Sequence, residues 1–225
     1  CSESGFDGVM INEHHNNPLS LMPSVNVIGA VLAKLTKQGK IVFLGNVLPI
    51  HDNPVRVAEE IAMIDMISGG RVVCGFVRGI GQESMATNTN PVFNRERFAE
   101  AHDLIIKTWT TPGPFRWEGK HYHLRVVNPW VLPLQKPHPP VWIPGVVSPE
   151  SVEFAARHGY PYIALAPPLD LIGEVYDLYD RVAQEEGYTA TEHNRGYAVR
   201  VVVADSDERA YEEGKNFFWQ LGTSF

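Results

Sequence analysis

Apolar residues along this chain follow two alternating rhythms. Short runs rich in β-branched side chains, at residues 8–12, 41–47, 72–77, 141–145, 161–165 and 197–204, read as strands. Between most of them lie longer stretches with apolar residues three or four apart, the spacing of a helix with one buried face. Residues 24–37 carry Val27, Ile28, Val31, Leu32 and Leu35 in that pattern. The next helix opens at Asn53-Pro54. There the Asn side chain can accept from a free backbone N–H, and the proline loses no hydrogen bond by lacking one. Val57, Ile61 and Ile64 share its buried face, and Gly69-Gly70 ends it. Further helices are expected at 94–109, 149–158, 169–186 and 207–221. The rhythm breaks from about residue 112 to 140. Short alternating pieces and the Pro-rich Gln135-Lys136-Pro137-His138-Pro139-Pro140 predict a hairpin-like insertion there.

Strands that alternate with helices imply a parallel sheet with right-handed crossovers. The expected fold class is therefore α/β. Six strands and six helices suit a (β/α)8 barrel of the TIM type, incomplete at both ends, because eight such units usually need about 250 residues. An open, doubly wound sheet fits the same count. Residues 1–225 are expected to form one domain. Ser2-Glu3-Ser4-Gly5-Phe6-Asp7-Gly8 reads as a helix end turning into a strand, so the chain is expected to continue upstream.

Composition narrows the partners. The net charge is −7, and without a basic patch little would hold a nucleic-acid backbone. No apolar run approaches the ~18 residues of a membrane helix, and no signal peptide is apparent. Two cysteines, Cys1 and Cys74, make no disulfide framework, which favours a reducing, cytoplasmic setting. Cys74 lies in a strand pattern and reads as a buried structural thiol.

In such folds the functional side chains follow the C-terminal ends of the strands. Those positions hold Asn12-Glu13-His14-His15, Gly45-Asn46-Val47, Arg78-Gly79-Ile80-Gly81 and Val146-Val147-Ser148-Pro149-Glu150-Ser151. The last reads as a helix start, with Ser148 as cap and Pro149 at the first helical position. Its free N–H groups and two hydroxyls can hold an anion. Arg78 offers a forked cation suited to phosphate, although a plain cap and a surface arginine explain the same residues. His14 can act as acid, base or donor near neutral pH, or serve structurally. Adjacent histidines on a strand face opposite ways, so His14 and His15 do not share a metal. His121 and His123 share a face but have no third ligand at a recognisable spacing, and no metal site is expected.

In order and spacing these pieces resemble the bacterial luciferase-like flavin-dependent monooxygenases. The likeness runs from Gly5-Phe6-Asp7-Gly8 and Glu13-His14-His15 through Val47-Leu48-Pro49, Asn53-Pro54-Val55-Arg56 and Ser68-Gly69-Gly70-Arg71. It continues through Phe76-Val77-Arg78-Gly79, Asn94-Arg95-Glu96-Arg97-Phe98, the Pro-rich stretch with Val141-Trp142, and Ser148-Pro149-Glu150-Ser151. The resemblance implies a barrel that binds reduced FMN, in many members supplied by a separate flavin reductase. Oxygen adds to that flavin, and the adduct oxidises a small organic substrate. His14 matches the active-site histidine. Arg78, Ser148 and Ser151 match phosphate-binding positions, with backbone contacts at Val147 and Ile80. Leu44, Gly45 and Asn46 match the strand end beneath the flavin ring, where the family often has a non-proline cis peptide. The helices at 24–37 and 53–67 correspond to a dimer surface, giving a homodimer or a heterodimer with a related subunit. Val77 stands where luciferase itself has a reactive cysteine, so light emission is not implied. Two further readings stay open: a deazaflavin-dependent hydride-transfer oxidoreductase of the same superfamily, and a flavin-binding homologue without turnover.

Overall fold

A computed structural model describes residues 4–16 and 20–218 of the chain. Cys1, the first residues of the upstream turn, and residues 219–221 of the last expected helix lie outside the described residues. In chain order the elements are β1 (Gly8–Ile11), α1 (Val25–Leu35), β2 (Lys40–Val47), α2 (Pro54–Ser68), β3 (Val72–Val77) and α3 (Gly81–Ala86). Then come α4 (Asn94–Thr110), β4 (Phe115–Glu118), β5 (His123–Val127), β6 (Val141–Gly145) and α5 (Pro149–Arg157). The last four are β7 (Tyr162–Leu165), α6 (Leu169–Glu185), β8 (Arg195–Ala198) and α7 (Asp207–Phe218).

The helix ends behave as their residues require. Asn53 Oδ1 accepts from Val55 N at 3.1 Å, and Pro54 follows it in the first turn of α2. At the other end the Gly69 and Gly70 N–H groups donate to the carbonyls of Met66 and Asp65. The short α3 has no apolar periodicity and was not expected from the pattern. It starts because the Glu83 carboxylate turns back to accept the Ile80 N–H at 2.9 Å.

Six strands form one sheet in the order β1-β2-β3-β6-β7-β8, and every neighbouring pair is parallel. This order follows the chain without a reversal. Right-handed crossovers then place all the connecting helices on one face, which gives a half-barrel rather than a doubly wound sheet. Ile41, Phe43, Cys74, Phe76, Val141 and Ile143 face those helices. They form the core with Ile61, Leu104, Ile105 and Val152, all under 3% exposed. Cys74 is free and fully buried, and burial pushes its thiol well above its usual range. It is structural, as its strand position suggested.

The break in rhythm is an antiparallel hairpin, β4 with β5. Glu100 of α4 pins it by accepting from Trp117 Nε1 and from the His121 and Tyr122 N–H groups at 2.8–3.1 Å. The return to the sheet is held by Gln135, which gives its N–H and side-chain amide to the buried Asp65 carboxylate. The strand expected at 197–204 is displaced. β8 runs from Arg195 to Ala198 because its ladder partner β7 ends at Leu165. Beyond it Val199, Val201 and Val203 are exposed. No helix among the described residues is long and apolar enough to cross a membrane.

Candidate active site

The C-terminal ends of the parallel strands surround a cleft of about 720 Å³. Its walls include His14, Leu44, Gly45, Arg78, Ile80, Val147, Ser148 and Ser151, brought together from four strand ends. Asn46, expected with them, does not line it. The β2–β3 register skips one residue at Gly45, so Asn46 pairs with Phe76, a core residue, and is 1% exposed. The skip accompanies a cis peptide bond at Leu44-Gly45. Only glycine fits there, since a Cβ on Gly45 would lie 2.5 Å from the Gly75 carbonyl oxygen.

One wall carries the histidine. His14 follows β1, and its Nδ1 lies 3.0 Å from Glu83 Oε1. Glu83 is 1% exposed. Burial raises its pKa, but the bonds from His14 and the Ile80 N–H, with the positive charge that His14 and His15 can carry, outweigh it. The carboxyl is held below its usual range. Gly79 makes this approach possible at φ +72°, where a side chain would strike Val47 and Glu83 itself. His15 turns away from the cleft, its Nε2 3.2 Å from Glu13 Oε1. Glu13 also receives the N–H groups of Val25 and Val47, which ties the β1 end to α1 and β2.

The opposite wall is a cationic corner. Arg78 Nη2 donates to Ser148 Oγ at 2.8 Å, although the two residues are 70 positions apart. Ser148 occupies the cap position of α5 with Pro149 after it, but its hydroxyl does not cap the helix. It donates instead to Glu150 Oε2 at 2.8 Å. Arg95, at the start of α4, lies 2.5 Å from the other Glu150 oxygen. Arg78, Ser148, Glu150 and Arg95 therefore form one chain of contacts at the N-terminus of α5, and Ser151 lines the cleft one residue further along the helix. Sequence reasoning missed Arg95 as a member of this corner, because nothing near it in the chain signals the contact. The Ile80 N–H, expected to face a ligand, is already taken by Glu83.

His102, Asp103 and His158 also bring possible ligand atoms within 4.8 Å of one another, on the helix side of the sheet. There His102 lies against Asp103 and Tyr160 at 3.0 and 3.1 Å, among the rings of Phe154 and His158. The cluster reads as helix packing, remote in role from the cleft.

A parallel half-barrel with a histidine and a group of cations across one strand-end cleft defines a class: α/β proteins of the barrel type with a cleft at the strand ends. Gly45 leaves the cleft floor open and Arg78 lies on its wall, which gives room and charge for an anionic ligand. Comparison with known proteins narrows the class. Residues 1–223 match the family model of the luciferase-like monooxygenases, and the chain belongs to that family. It is 28% identical to the alkanal monooxygenase alpha chain of Photorhabdus luminescens, over 96% of this chain and 59% of that protein. It is 29% identical to the oxygenase component of a flavin-dependent trigonelline monooxygenase from Acinetobacter baylyi, over 71% of this chain and 44% of that protein. The chain thus spans about half the length of these relatives. Among solved structures, monooxygenase RslO1 from Streptomyces bottropensis superimposes with a TM-score of 0.88 at 26% identity, covering 99% of this chain and 68% of that one. An F420-dependent secondary alcohol dehydrogenase shares the fold at a TM-score of 0.83 and 18% identity, covering 94% of this chain and 65% of that one.

Proposed function

We propose that this chain is the flavin-binding part of an FMN-dependent monooxygenase that oxidises a small organic substrate. The observation that carries the reading is the meeting of His14 with Arg78, Ser148 and Ser151 in one cleft. In it Arg78, Ser148 and Ser151 hold the flavin phosphate, and Arg95 strengthens that corner once Glu150 swings aside. Leu44 and Gly45 form the floor beneath the ring, and Val147 and Ile80 frame its edge. Reduced FMN supplies the oxygen chemistry when bound, so the protein has to position it, keep bulk water away and manage protons. His14 holds or accepts a proton at the ring edge facing the cleft. The kinship with an oxygenase component supports a separate flavin reductase as partner.

The half-barrel has open edges at β1 and β8, and we read it as most of a (β/α)8 barrel closed by further strands. A related surface is apolar. α1 exposes Val27, Val31 and Leu35, and α2 exposes Met63, Met66 and Ile67. α1 and α2 pack on each other, and their exposed faces suit a homodimer or a related heterodimer. The buried free thiol of Cys74 agrees with a reducing, cytoplasmic setting.

The test is titration of the full-length protein with reduced FMN, then with a reduced deazaflavin, followed by oxygen. FMN binding with oxygen uptake and an oxygenated product supports the reading. Tight deazaflavin binding with hydride transfer and no oxygen uptake replaces it.

A further inference from the structure

We propose that Glu83 is a positioning residue that fixes which nitrogen of His14 presents a lone pair to the cleft. This rests on the reading of His14 as the proton-handling group. Glu83 comes from α3, 69 positions beyond His14, and nothing in the local sequence joins them. Both carboxylate oxygens are committed. Oε2 receives the Ile80 N–H, a group that can only donate. Oε1 faces His14 Nδ1 at 3.0 Å. The carboxyl is held below its usual range, so at neutral pH it is ionised and can only accept. His14 must therefore carry its proton on Nδ1. Nε2, on the ring edge away from the buried carboxylate, is then the acceptor. Once Nε2 takes a proton, the imidazolium remains paired with Glu83. An acid group that orients a histidine base in this way controls its tautomer without exchanging a proton with it.

The charged groups around His14 leave this role to Glu83. Glu13 is engaged with the Val25 and Val47 N–H groups and lies against His15. Arg78 is turned to Ser148. The competing explanation is that Glu83 serves only to start α3. The two part company at Glu83→Gln. A glutamine oxygen still accepts the Ile80 N–H, so α3 keeps its start. Its NH2 group is then the end that faces His14 Nδ1, and it can only donate. The histidine is driven to the other tautomer, with its proton on Nε2.

The experiment records the ring 15N resonances of His14 in the full-length protein without flavin, at a pH where the ring is neutral. The wild type is expected to show a protonated Nδ1 and a bare Nε2. Glu83→Gln should reverse the two, and Glu83→Asp, which restores a carboxylate, should keep the wild-type pattern. The same tautomer in wild type and Glu83→Gln overturns the proposal. A wild-type spectrum with the proton on Nε2 overturns it without any variant, should Glu83→Gln fail to fold. With FMN and substrate, Glu83→Gln should bind flavin within about two-fold of wild type. Its coupling of oxygen use to product should fall toward that of His14→Ala, and Glu83→Asp should recover much of it. A reversed tautomer with full coupling sinks the role of His14, not that of Glu83. Lost coupling in His14→Ala with an unchanged tautomer in Glu83→Gln sinks the role of Glu83 alone.

Discussion

At the scale of single residues, the two walls of the cleft make separable demands. Arg78→Ala removes a charged donor from the cationic corner. It should weaken FMN binding by about 1.5–3 kcal/mol, the range for a charge-assisted hydrogen bond. Riboflavin, which has no phosphate, should bind nearly as before. Isothermal titration with both ligands checks this, and equal losses would remove Arg78 from the phosphate site. His14→Ala should leave FMN affinity almost unchanged, slow the oxygen-transfer step by about 10²–10⁴, the usual worth of a placed acid or base, and so lower product yield. More of the oxygen should then appear as hydrogen peroxide. His15→Ala should act through stability, since His15 lies against Glu13 and outside the cleft. Product and peroxide assays on the two variants decide between them; full coupling in His14→Ala would end its assignment. Much of this site was legible. Strand-end position pointed to His14, Arg78, Ser148 and Ser151, which line one cleft. The expected strand alternation at His14 and His15 does not apply, because β1 ends at Ile11 and both residues follow it in a loop. Glu83 and Arg95 were not legible. Their meaning lies in contacts with His14 and Glu150 that cross 69 and 55 positions, and no local pattern encodes such a distance.

At the scale of elements, caps and periodicity set most boundaries, because they express local rules of backbone hydrogen bonding. Asn53-Pro54 and Gly69-Gly70 bracket α2 for that reason. The exceptions either lack an apolar period or depend on a distant partner. α3 needs the Glu83 carboxylate at its start, and β8 ends where β7 stops offering a ladder. Packing between elements also shapes the response to pH. On α4, burial lowers the pKa of His102, although the Asp103 hydrogen bond pulls the other way. Burial likewise lowers that of His51, in the loop before α2. An unfolded chain protonates both near the ordinary value of ~6.5, while the folded chain takes those protons only at lower pH. Their contribution to stability is therefore complete above about 6.5 and is lost as pH falls through the folded values. Urea unfolding at descending pH should show the midpoint dropping below neutrality. His102→Phe should make that slope shallower; an unchanged slope would show that His102 is not held neutral.

At the scale of the whole molecule, the apolar strip on α1 and α2 is the feature left to account for. Light scattering of full-length protein should report a dimer. Ile67→Glu should shift it toward monomer while FMN affinity stays the same, because α2 lies on the helix side of the sheet. A wild-type monomer at micromolar concentration would contradict the proposed interface. The sequence by itself determined the alternation of strand and helix, the insertion and the residues at the strand ends, because periodicity, capping and turn chemistry are local. The count of strands and helices fitted a doubly wound sheet as well as the barrel that the family resemblance implied. Only the tertiary structure chose, because the choice is the spatial order of the strands, here β1-β2-β3-β6-β7-β8 without a reversal. The same arrangement set Asn46 against the core, turned the Ser148 hydroxyl from its helix to Arg78 and Glu150, and placed a buried carboxylate behind His14. Each of these depends on which distant residue comes close, and that is fixed only when the sheet and its helices pack together.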